Sequence, residues 1–298
     1  MANEIPANIY SIEDAFKNNP ELKESDIQII REWCQKQLHF PKIPDAYLIL
    51  FLQSNYYQLE PTKNAIENFL TVRTHVPEIF SNRDPFVKEL RSQINVVATI
   101  PLKENSKHGY KLIFGAITDP DPTHYVFFEC IKSFCMITEL DPLEKGPSKG
   151  VAYVVDVKNF SLGHVARINL MGVKKFLYYV QETIPVRLKH IHILNCNPAV
   201  ETLLNMCKPF MKKELIEMIH FHYSLKSLEE YIAIDTLPNE FGGKAGNIKD
   251  LVEEQIKKLD DNHANVKLLF RVFSQHGIIT IYVMIISSLK YIFPLRRL

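Results

Sequence analysis

The sequence has few glycines and almost no excess of charge of either sign. Ten glycines in 298 residues leave little material for glycine-rich phosphate loops, and neither GxGxxG nor GxxxxGK[ST] occurs. No cofactor is therefore predicted. Thirty-five basic side chains stand against thirty-four acidic ones, a formal net charge of +1. A nucleic-acid-binding surface needs a basic surplus on one face, so this balance argues against a nucleic-acid partner.

Cysteine pairs and a secretory leader are missing as well. The five cysteines Cys34, Cys130, Cys135, Cys196 and Cys207 form no CxxC motif, and the N-terminal MANEIPANIY is polar. We therefore expect reduced thiols in an intracellular protein. Apolar residues are plentiful instead. They make up 46% of the chain and include 18 Phe and 13 Tyr, enough for a core and for the lining of an apolar cavity.

Residues 1–95 predict a small all-helical lobe. Apolar residues recur at helical spacing in segments separated by prolines. The predicted helices cover residues 25–39, 46–53, 62–74 and 85–93. No strand pattern interrupts this part of the chain.

Residues 96–248 predict an α/β domain. Short apolar or β-branched runs predict strands over residues 111–118, 151–156, 188–195 and 220–223. Helical spacing predicts helices over residues 123–139, 161–181 and 198–219, with Pro209 as a point where the last can break. Strands that alternate with helices of this length favour an α/β sandwich with a largely parallel sheet.

Residues 249–298 form a third region. A charged amphipathic helix is predicted over residues 249–261. Residues 272–289 then run without Asp, Glu, Lys or Arg, at the lower length limit for a membrane span. Gln275, His276 and Gly277 weaken that signal. A packed terminal strand or helix, or an ending of little consequence, is favoured over a membrane anchor.

No motif makes a strong case for an enzyme. Residues 146–150 fit the GxSxG pattern, but a hydrolase nucleophile needs a strand before the serine and a helix after it. Here a polar loop precedes Ser148 and a strand follows. Asp156 and Glu182 end a strand and a helix, where a carboxylate can act in catalysis or simply fix the next loop through hydrogen bonds.

Histidine pairs occur on two predicted strands. In a strand, residues i and i+2 share a face, so His190 with His192, or His220 with His222, can offer two metal ligands. No third ligand stands at a fixed spacing, and polar side chains at strand edges are the favoured interpretation. Cys130 and Cys135 are interpreted as packing residues. No metal site is predicted.

Several segments, in this order and spacing, resemble the CRAL-TRIO lipid-transfer family, in particular its tocopherol-transfer and retinaldehyde-binding branch. They are Pro44–Leu52, Val154–Asp156 with Phe160–Ser161, Gln181–His192, Leu194–Pro198, Lys208–Phe210 and Leu237–Gly243. The resemblance covers roughly residues 20–260. It implies a helical lobe followed by an α/β domain whose sheet forms the floor of an apolar pocket, closed by a movable gate helix near residues 198–212. Without the resemblance, the pattern of this segment fits an ordinary helix packed in the core equally well.

The resemblance also implies the residues of the binding site. The implied ligand-lining positions are Ile131, Phe134, Cys135, Thr138, Val155, Phe176, Tyr179, Ile184, Val186, Leu188 and Ile191. Arg187 and Lys189 match two positions of a basic patch that recognises phosphoinositide head groups in tocopherol transfer proteins. Other basic positions of that patch are absent, and Glu214 and Met218 stand where basic residues would help.

The resulting prediction is a cytoplasmic carrier, peripheral to membranes, for a small hydrophobic ligand such as a retinoid, tocopherol, carotenoid or other isoprenoid lipid. Transient contact with membranes is part of the prediction, and catalysis is not. The alternative is a lipid-sensing regulatory or scaffold protein that acts through protein partners.

Overall fold

The computed structural model describes residues 9–261 and begins with a helical lobe. Its helices are α1 Ile12–Asn18, α2 Glu24–Lys36, α3 Asp45–Ser54, α4 Leu59–His75, α5 Pro77–Phe80 and α6 Lys88–Val96. The helices predicted over residues 25–39, 46–53 and 62–74 are confirmed as α2, α3 and α4. The fourth predicted helix begins later than expected, because Val87 is still extended. The predicted tail over residues 272–289 lies outside the described residues.

A five-stranded sheet follows the helical lobe. Its strands are β1 Val97–Asn105, β2 Lys111–Ile117, β3 Val151–Asp156, β4 Leu188–Leu194 and β5 Ile219–His222. They lie side by side in chain order, with β1 antiparallel to β2 and the other pairs parallel. The largely parallel sheet is thereby confirmed. β1 has no counterpart among the predicted strands. It contains Pro101, which is tolerated because an edge strand leaves one side of its backbone without a partner strand.

Helices connect the parallel strands and close the domain. They are α7 Phe127–Lys145, α8 Leu162–Val165, α9 Leu170–Glu182, α10 Pro198–Cys207, α11 Lys213–Glu217, α12 Leu225–Leu228 and α13 Ile248–Asp261. The single helix predicted over residues 161–181 is wrong. Asn169 caps a new helix there by accepting a 2.8 Å hydrogen bond from the backbone N–H of Gly172. The predicted break at Pro209 is confirmed, since a 3-10 turn at Lys208–Phe210 follows α10.

The sheet presents two faces that differ in how they are covered. We call one face the floor. Two rows of paired positions across β2 to β5 form it: Ile113, Tyr153, Ile191 and Ile219, then Gly115, Val155, Ile193 and Phe221. The alternate residues form the back face, where Phe114, Ala152 and Val154 are fully buried. Side chains alternate along a strand, so neighbours such as Val154 and Val155 belong to opposite faces.

Two cores hold these layers together. The helical lobe shares one core with α7 and α9, in which Phe51 and Phe69 meet Cys135 and Tyr179. The back face joins a second core with α12, α13 and the loop between them. Within residues 9–261, no helix combines the length and the apolar character needed to cross a membrane.

Candidate functional site

The floor is apolar and incompletely covered. Of its eight positions only Tyr153 carries a polar group. Exposure varies over the floor: Ile113 and Ile193 are 4% and 7% exposed, whereas Phe221 is 41% exposed. Between these ends Val155 and Ile191 are half-buried. A largely apolar surface with few polar groups is typical of small-molecule sites.

Aromatic and polar side chains of α7 and α9 lie over the floor. The ring of Phe134 lies 5.6 Å from that of Tyr153 and 5.6 Å from that of Phe176, measured between centroids. Phe134 and Phe176 are both half-buried. The Thr138 hydroxyl donates to the carbonyls of Phe134 and Cys135, at 2.9 and 3.3 Å. The structure thus brings five predicted lining residues to this site: Phe134, Thr138, Val155, Phe176 and Ile191.

The segment between β4 and β5 borders the open end of the floor. We call residues 198–217, which comprise α10, the 3-10 turn and α11, the gate segment. Leu204 packs in a cluster with Ile117, which continues the floor side of β2. A groove of about 330 Å³ separates the gate segment from β5, and Leu204, Met211, Ile216, Ile219 and Phe221 are among its lining residues. The groove therefore leads from the surface to the exposed end of the floor.

The end of α9 holds the gate segment in place. The Gln181 side-chain amide donates to the carbonyl of Phe210 at 3.1 Å, and its oxygen accepts from the backbone N–H of Lys212 at 2.6 Å. The ammonium of Lys212 also pairs with Glu182. We call these contacts the latch. Glu182 is one of the two carboxylates that the sequence places at the end of a strand or helix. In the structure it forms an ion pair with Lys212.

A buried ionic cluster fixes α7 and α9 to the helical lobe. Glu139 accepts hydrogen bonds from Arg73 at 2.7 Å, from Arg83 at 3.1 Å and from the Tyr179 hydroxyl at 2.6 Å. Burial alone would raise the pKa of Glu139, but the two guanidinium groups outweigh burial and hold the pKa below its usual range. Burial, then the Glu139 charge, raises the pKa of Tyr179. The sequence analysis missed this cluster, although a glutamate inside an apolar helix was a usable signal.

The remaining predicted lining residues lie elsewhere. Ile131, Cys135 and Tyr179 are buried in the core shared with the helical lobe. Ile184, Val186 and Leu188 line a second groove of about 250 Å³, bordered by the ends of α3 and α9. For these six, as for the five over the floor, a role in ligand binding stays a prediction.

The two basic residues assigned to phosphoinositides both contact Tyr56. The Arg187 guanidinium lies 4.0 Å from the centre of the Tyr56 ring, and its Nε donates to the carbonyl of Gln53 at 2.6 Å. The Lys189 ammonium donates to the Tyr56 hydroxyl at 2.8 Å. Nη2 of Arg187 is buried without a hydrogen-bond partner among residues 9–261. Arg187 and Lys189 therefore approach the same point on the surface, but the ring of Tyr56 occupies part of that space.

Four histidines form a cluster on the back face. His190 Nδ1 lies 3.0 Å from His220 Nε2, and His192 Nδ1 lies 2.9 Å from His222 Nε2. Burial, followed by the neighbouring imidazoles, lowers the pKa of His192 to about 3. The part of the chain that the structure describes contains no group of three or more His, Cys, Asp or Glu side chains able to hold a metal ion. The pairs are therefore hydrogen-bonded to each other across parallel strands.

The other singled-out polar residues have structural contacts. Ser148 lies in the loop between α7 and β3 and donates to the carbonyl of Gly150 at 3.1 Å, so helix, loop and strand follow in the order opposite to a nucleophile elbow. Asp156 accepts from the backbone N–H of Lys158 at 3.1 Å and from the Asn195 amide at 2.8 Å. It thus fixes the loop beyond β3.

Two larger surface grooves lie away from the floor. A groove of about 750 Å³ runs between β1 and α13, and nine of its sixteen lining residues are charged. Another of about 880 Å³ lies on the helical lobe, where Arg31, Lys42 and Asp45 stand among apolar residues. A lipid is better matched by the floor and its adjoining groove, because apolar side chains dominate there.

Comparison with known proteins agrees with this architecture. Residues 19–90 match a family model described as "Pinta-like, UBA domain", and residues 104–243 match the CRAL/TRIO domain. Residues 104–243 therefore form a domain of the CRAL-TRIO family. Members of this family bind and transfer lipids. The match to the domain covers the sheet from the end of β1 to β5, the gate segment and the loop that follows.

The chain is also similar to individual proteins of known name. It is 25% identical over 242 residues to the mouse protein "Alpha-tocopherol transfer protein-like", which covers 79% of this chain and 69% of the relative. It is 23% identical to mouse "Clavesin-1" over 237 residues, 76% of this chain and 66% of the relative. The crystal structure of Sfh5 covers 94% of this chain and 100% of its own, with a TM-score of 0.49 at 15% identity.

Proposed function

We propose that this chain is a carrier that binds one small hydrophobic ligand over the floor and transfers it between membranes. The ligand is a retinoid, a tocopherol, a carotenoid or a similar isoprenoid lipid. The observation that carries the proposal is the contrast in coverage: Val155 and Ile191 are half-buried on the floor, whereas Val154 is fully buried on the back face. A ligand over the floor would complete its burial.

Elementary energetics explain why such a carrier needs no reaction. Apolar surface costs roughly 25 cal/mol per Å² when it is exposed to water. A ligand held between the floor and the gate segment escapes most of that cost, and opening at a membrane lets it partition. No bond is made or broken, so we assign no catalytic residue.

The latch supports a gating role for the gate segment. Gln181 spans the junction between the 3-10 turn and α11 by contacting both Phe210 and Lys212. These contacts are few and lie at the partly exposed end of α9. Their loss would free the turn while α10 keeps its packing on α8. The proposed movement is therefore a displacement of the turn and α11, which widens the groove beside β5.

A membrane is the proposed place of opening. Ile216, Phe221 and Tyr223 border the groove and are 40%, 41% and 93% exposed. Lys208, Lys212 and Lys213 lie on the same segment and are exposed. Exposed apolar side chains flanked by lysines suit reversible binding to an anionic membrane surface. We accordingly propose a cytoplasmic protein that binds membranes peripherally.

Phosphoinositide recognition by Arg187 and Lys189 is a further part of the proposal. The buried Nη2 of Arg187 is a hydrogen-bond donor that a phosphate would satisfy. Tyr56 would have to leave its position over the guanidinium for that contact to form. We expect Lys189→Ala to weaken sedimentation with phosphoinositide vesicles, whereas Arg187→Ala also weakens the contact between α3 and the sheet.

The proposal is tested first by finding the ligand. The full chain is purified without detergent, and bound molecules are identified by native mass spectrometry and extraction. We expect a stoichiometric hydrophobic molecule, and transfer of that molecule between donor and acceptor vesicles. A protein that is empty and takes up no added retinoid, tocopherol or phospholipid would contradict the carrier. Capture of a protein partner through residues 262–298 alone would then favour the scaffold alternative.

Two variants at one position locate the ligand. A Cβ built at Gly115 meets its nearest neighbours at 3.8 and 3.9 Å, which is ordinary contact. Gly115→Ala should therefore fold and bind normally. Gly115→Leu places a larger side chain over the floor, and we expect it to abolish uptake while the melting temperature stays close to that of Gly115→Ala. Uptake by both variants would exclude the floor as the binding site.

A further inference from the structure

β5 is the shortest strand of the sheet and lies at its edge. It spans Ile219–His222 and pairs with β4. Its residues alternate between the two faces: Ile219 and Phe221 belong to the floor, whereas His220 and His222 belong to the back face. One residue, Met218, separates β5 from α11 of the gate segment. A movement of β5 therefore also moves α11 and widens the groove beside the floor.

Two imidazole pairs attach β5 to β4 on the back face. His190 Nδ1 lies 3.0 Å from His220 Nε2, and His192 Nδ1 lies 2.9 Å from His222 Nε2. The ring of Tyr231 covers the cluster, 4.8 Å from the ring of His192 and 5.1 Å from that of His220. An imidazole accepts a hydrogen bond only through an unprotonated nitrogen, so each pair requires at least one neutral ring.

The direction of the hydrogen bonds in the buried pair follows from the serine beside it. The Ser227 hydroxyl donates its one proton to the carbonyl of Ser224, at 2.8 Å. His222 Nδ1, 2.9 Å from that hydroxyl, therefore donates to it, which leaves His222 Nε2 to accept from His192 Nδ1 in the neutral pair. Nε2 of His192 then carries no proton, and it is buried without a hydrogen-bond partner among residues 9–261. A proton added to this pair would place a charged N–H in a buried position without an acceptor, which is unfavourable.

Charged and titratable groups of neighbouring segments act on the cluster. They are His108 and Tyr110 from the loop before β2, Lys189 from β4, and Glu230 and Tyr231 from the segment after α12. Burial, followed by neighbouring imidazoles, lowers the pKa values of His190, His192 and His222. Lys189 adds to this effect on His190, whereas Glu230 opposes it on His222. The folded protein therefore holds these three imidazoles neutral near pH 7.

We propose that the histidine cluster is a pH-sensitive switch: mild acid detaches β5 from β4, moves α11 away from the floor and opens the groove. The attached state excludes protons, whereas imidazoles released from the cluster take them up near the ordinary histidine pKa of about 6.5. A state that binds more protons gains population as the pH falls. The effect on a ligand rests on the proposed carrier function, whereas the movement of β5 does not.

Hydrogen–deuterium exchange of the full chain tests the movement without a ligand. Exchange rates at pH 7.5 and 5.5 are divided by the intrinsic rate at each pH, and residues 213–222 are compared with β2. We expect residues 213–222 to be less protected than β2 at both pH values. Their protection should fall about tenfold at the acidic pH, the effect of one histidine one pH unit below its ordinary pKa. Equal protection in the two segments, or protection that does not change with pH, would overturn the inference.

Glutamine variants assign the effect to the histidines. His192→Gln combined with His222→Gln replaces the buried pair by two amides, which still donate and accept hydrogen bonds but do not titrate. We expect the acid response of residues 213–222 to shrink to about threefold or less. His190→Gln combined with His220→Gln should reduce the response as well and tests the half-buried pair. The exposed His75, substituted by Gln, is the control and should leave the response unchanged. A full response in both double variants would contradict the proposal.

Ligand release tests the link between β5 and the floor. The full chain is loaded with all-trans-retinol or α-tocopherol, and transfer to phosphatidylcholine vesicles is timed at pH 7.5 and 5.5. We expect transfer to be about tenfold faster at pH 5.5, with a smaller acceleration in the variant that lacks the buried pair. Acid-sensitive exchange without faster transfer would show that β5 does not open the floor. Failure of both probes to load would count against the carrier function, while the exchange experiment still decides whether acid detaches β5.

Discussion

The floor and the back face are two sides of the same strands, yet they are built differently. On the back face Phe114, Ala152 and Val154 are completely buried against a core to which α12 and α13 contribute. On the floor, Tyr153 and Val155 are half-buried under α7, α9 and the gate segment. Strand composition alone does not produce this difference, because both faces are mostly apolar. The chain itself covers one face, and we propose that a ligand completes the cover of the other.

The charged and titratable side chains also differ between the floor side and the back face. On the floor side Glu139, Arg73 and Arg83 hold the covering helices in place through buried ion pairs. On the back face the histidine pairs tie β4 to β5 through hydrogen bonds between imidazoles. Buried ionic contacts fix α7 and α9, whereas the turn of the gate segment is held by the hydrogen bonds and the partly exposed ion pair of the latch.

Removal of Glu139 should produce the largest effect. Glu139→Ala leaves two buried guanidinium groups without their carboxylate, and we expect the free energy of unfolding to fall by about 3–5 kcal/mol. Urea denaturation gives the value. The control is Arg91→Ala, which breaks a half-exposed pair with Asp260 and should cost about 1 kcal/mol or less. Similar losses in the two variants would show that the buried cluster does not hold the covering helices.

Adjacent valines test the contrast between the two faces directly. Val154→Ala opens a cavity in the packed back face, and we expect a loss of about 2–3 kcal/mol in the free energy of unfolding. Val155→Ala removes the same atoms from the half-covered floor and should cost about 1 kcal/mol. Ligand affinity, in contrast, should fall more in Val155→Ala than in Val154→Ala. Equal stability losses would mean that the floor is as completely packed as the back face.

Acid should weaken the back face through its histidines. Burial, then neighbouring imidazoles, lowers the pKa values of His190 and His222 as well as that of His192. In the unfolded chain these groups take up protons near their ordinary pKa of about 6.5, so below that pH the unfolded chain binds more protons than the folded one. The contribution of these histidines to stability is therefore full above about pH 6.5 and declines as the pH falls toward about 3, the pKa of His192.

The size of the acid effect can be measured by urea denaturation at pH 7.5 and 5.5. We expect the free energy of unfolding to be about 1–2 kcal/mol lower at the acidic pH, since each histidine contributes up to about 1.4 kcal/mol per pH unit. His192→Gln should reduce this difference, whereas substitution of the exposed His75 by Gln should leave it unchanged. A wild-type stability that does not vary over this range would be inconsistent with neutral, buried imidazoles.

The latch should have the smallest effect on stability and a clear effect on rate. Gln181→Ala removes two hydrogen bonds at the turn of the gate segment, and we expect a stability loss of about 1 kcal/mol. Ligand transfer between vesicles should become faster, because opening no longer requires these bonds to break. Thr202→Ala, on the same segment but outside the latch, is the control, because it removes one exposed hydrogen bond to the carbonyl of Pro198. Slower or unchanged transfer by Gln181→Ala would show that the latch does not limit opening.

The elements with strong local patterns were predictable. The β-branched run at residues 151–156 gave β3 with its observed bounds, and α3 and α4 appear close to their predicted positions. β1 was missed because Pro101 breaks the usual strand pattern, which only an edge position permits. The helix over residues 161–181 was extended too far because the cap formed by Asn169 was not recognised.

The site was predictable only in part. Phe134, Thr138 and Phe176 lie over the floor, whereas Ile131, Cys135 and Tyr179 are buried in the shared core. Nothing in their spacing along a helix distinguishes the two sets, because core and cleft positions share one apolar face.

By itself the sequence determined the alternation of strands and helices, the apolar character of the sheet and the membership of the CRAL-TRIO family. These properties depend on residue types and spacings within short stretches of chain. The tertiary structure decided which apolar residues are covered, how Phe134 comes to lie against Tyr153 and Phe176, and how histidines thirty residues apart become hydrogen-bonded pairs. Such contacts depend on the register of parallel strands and on the packing of the connecting helices, which join residues far apart in the chain.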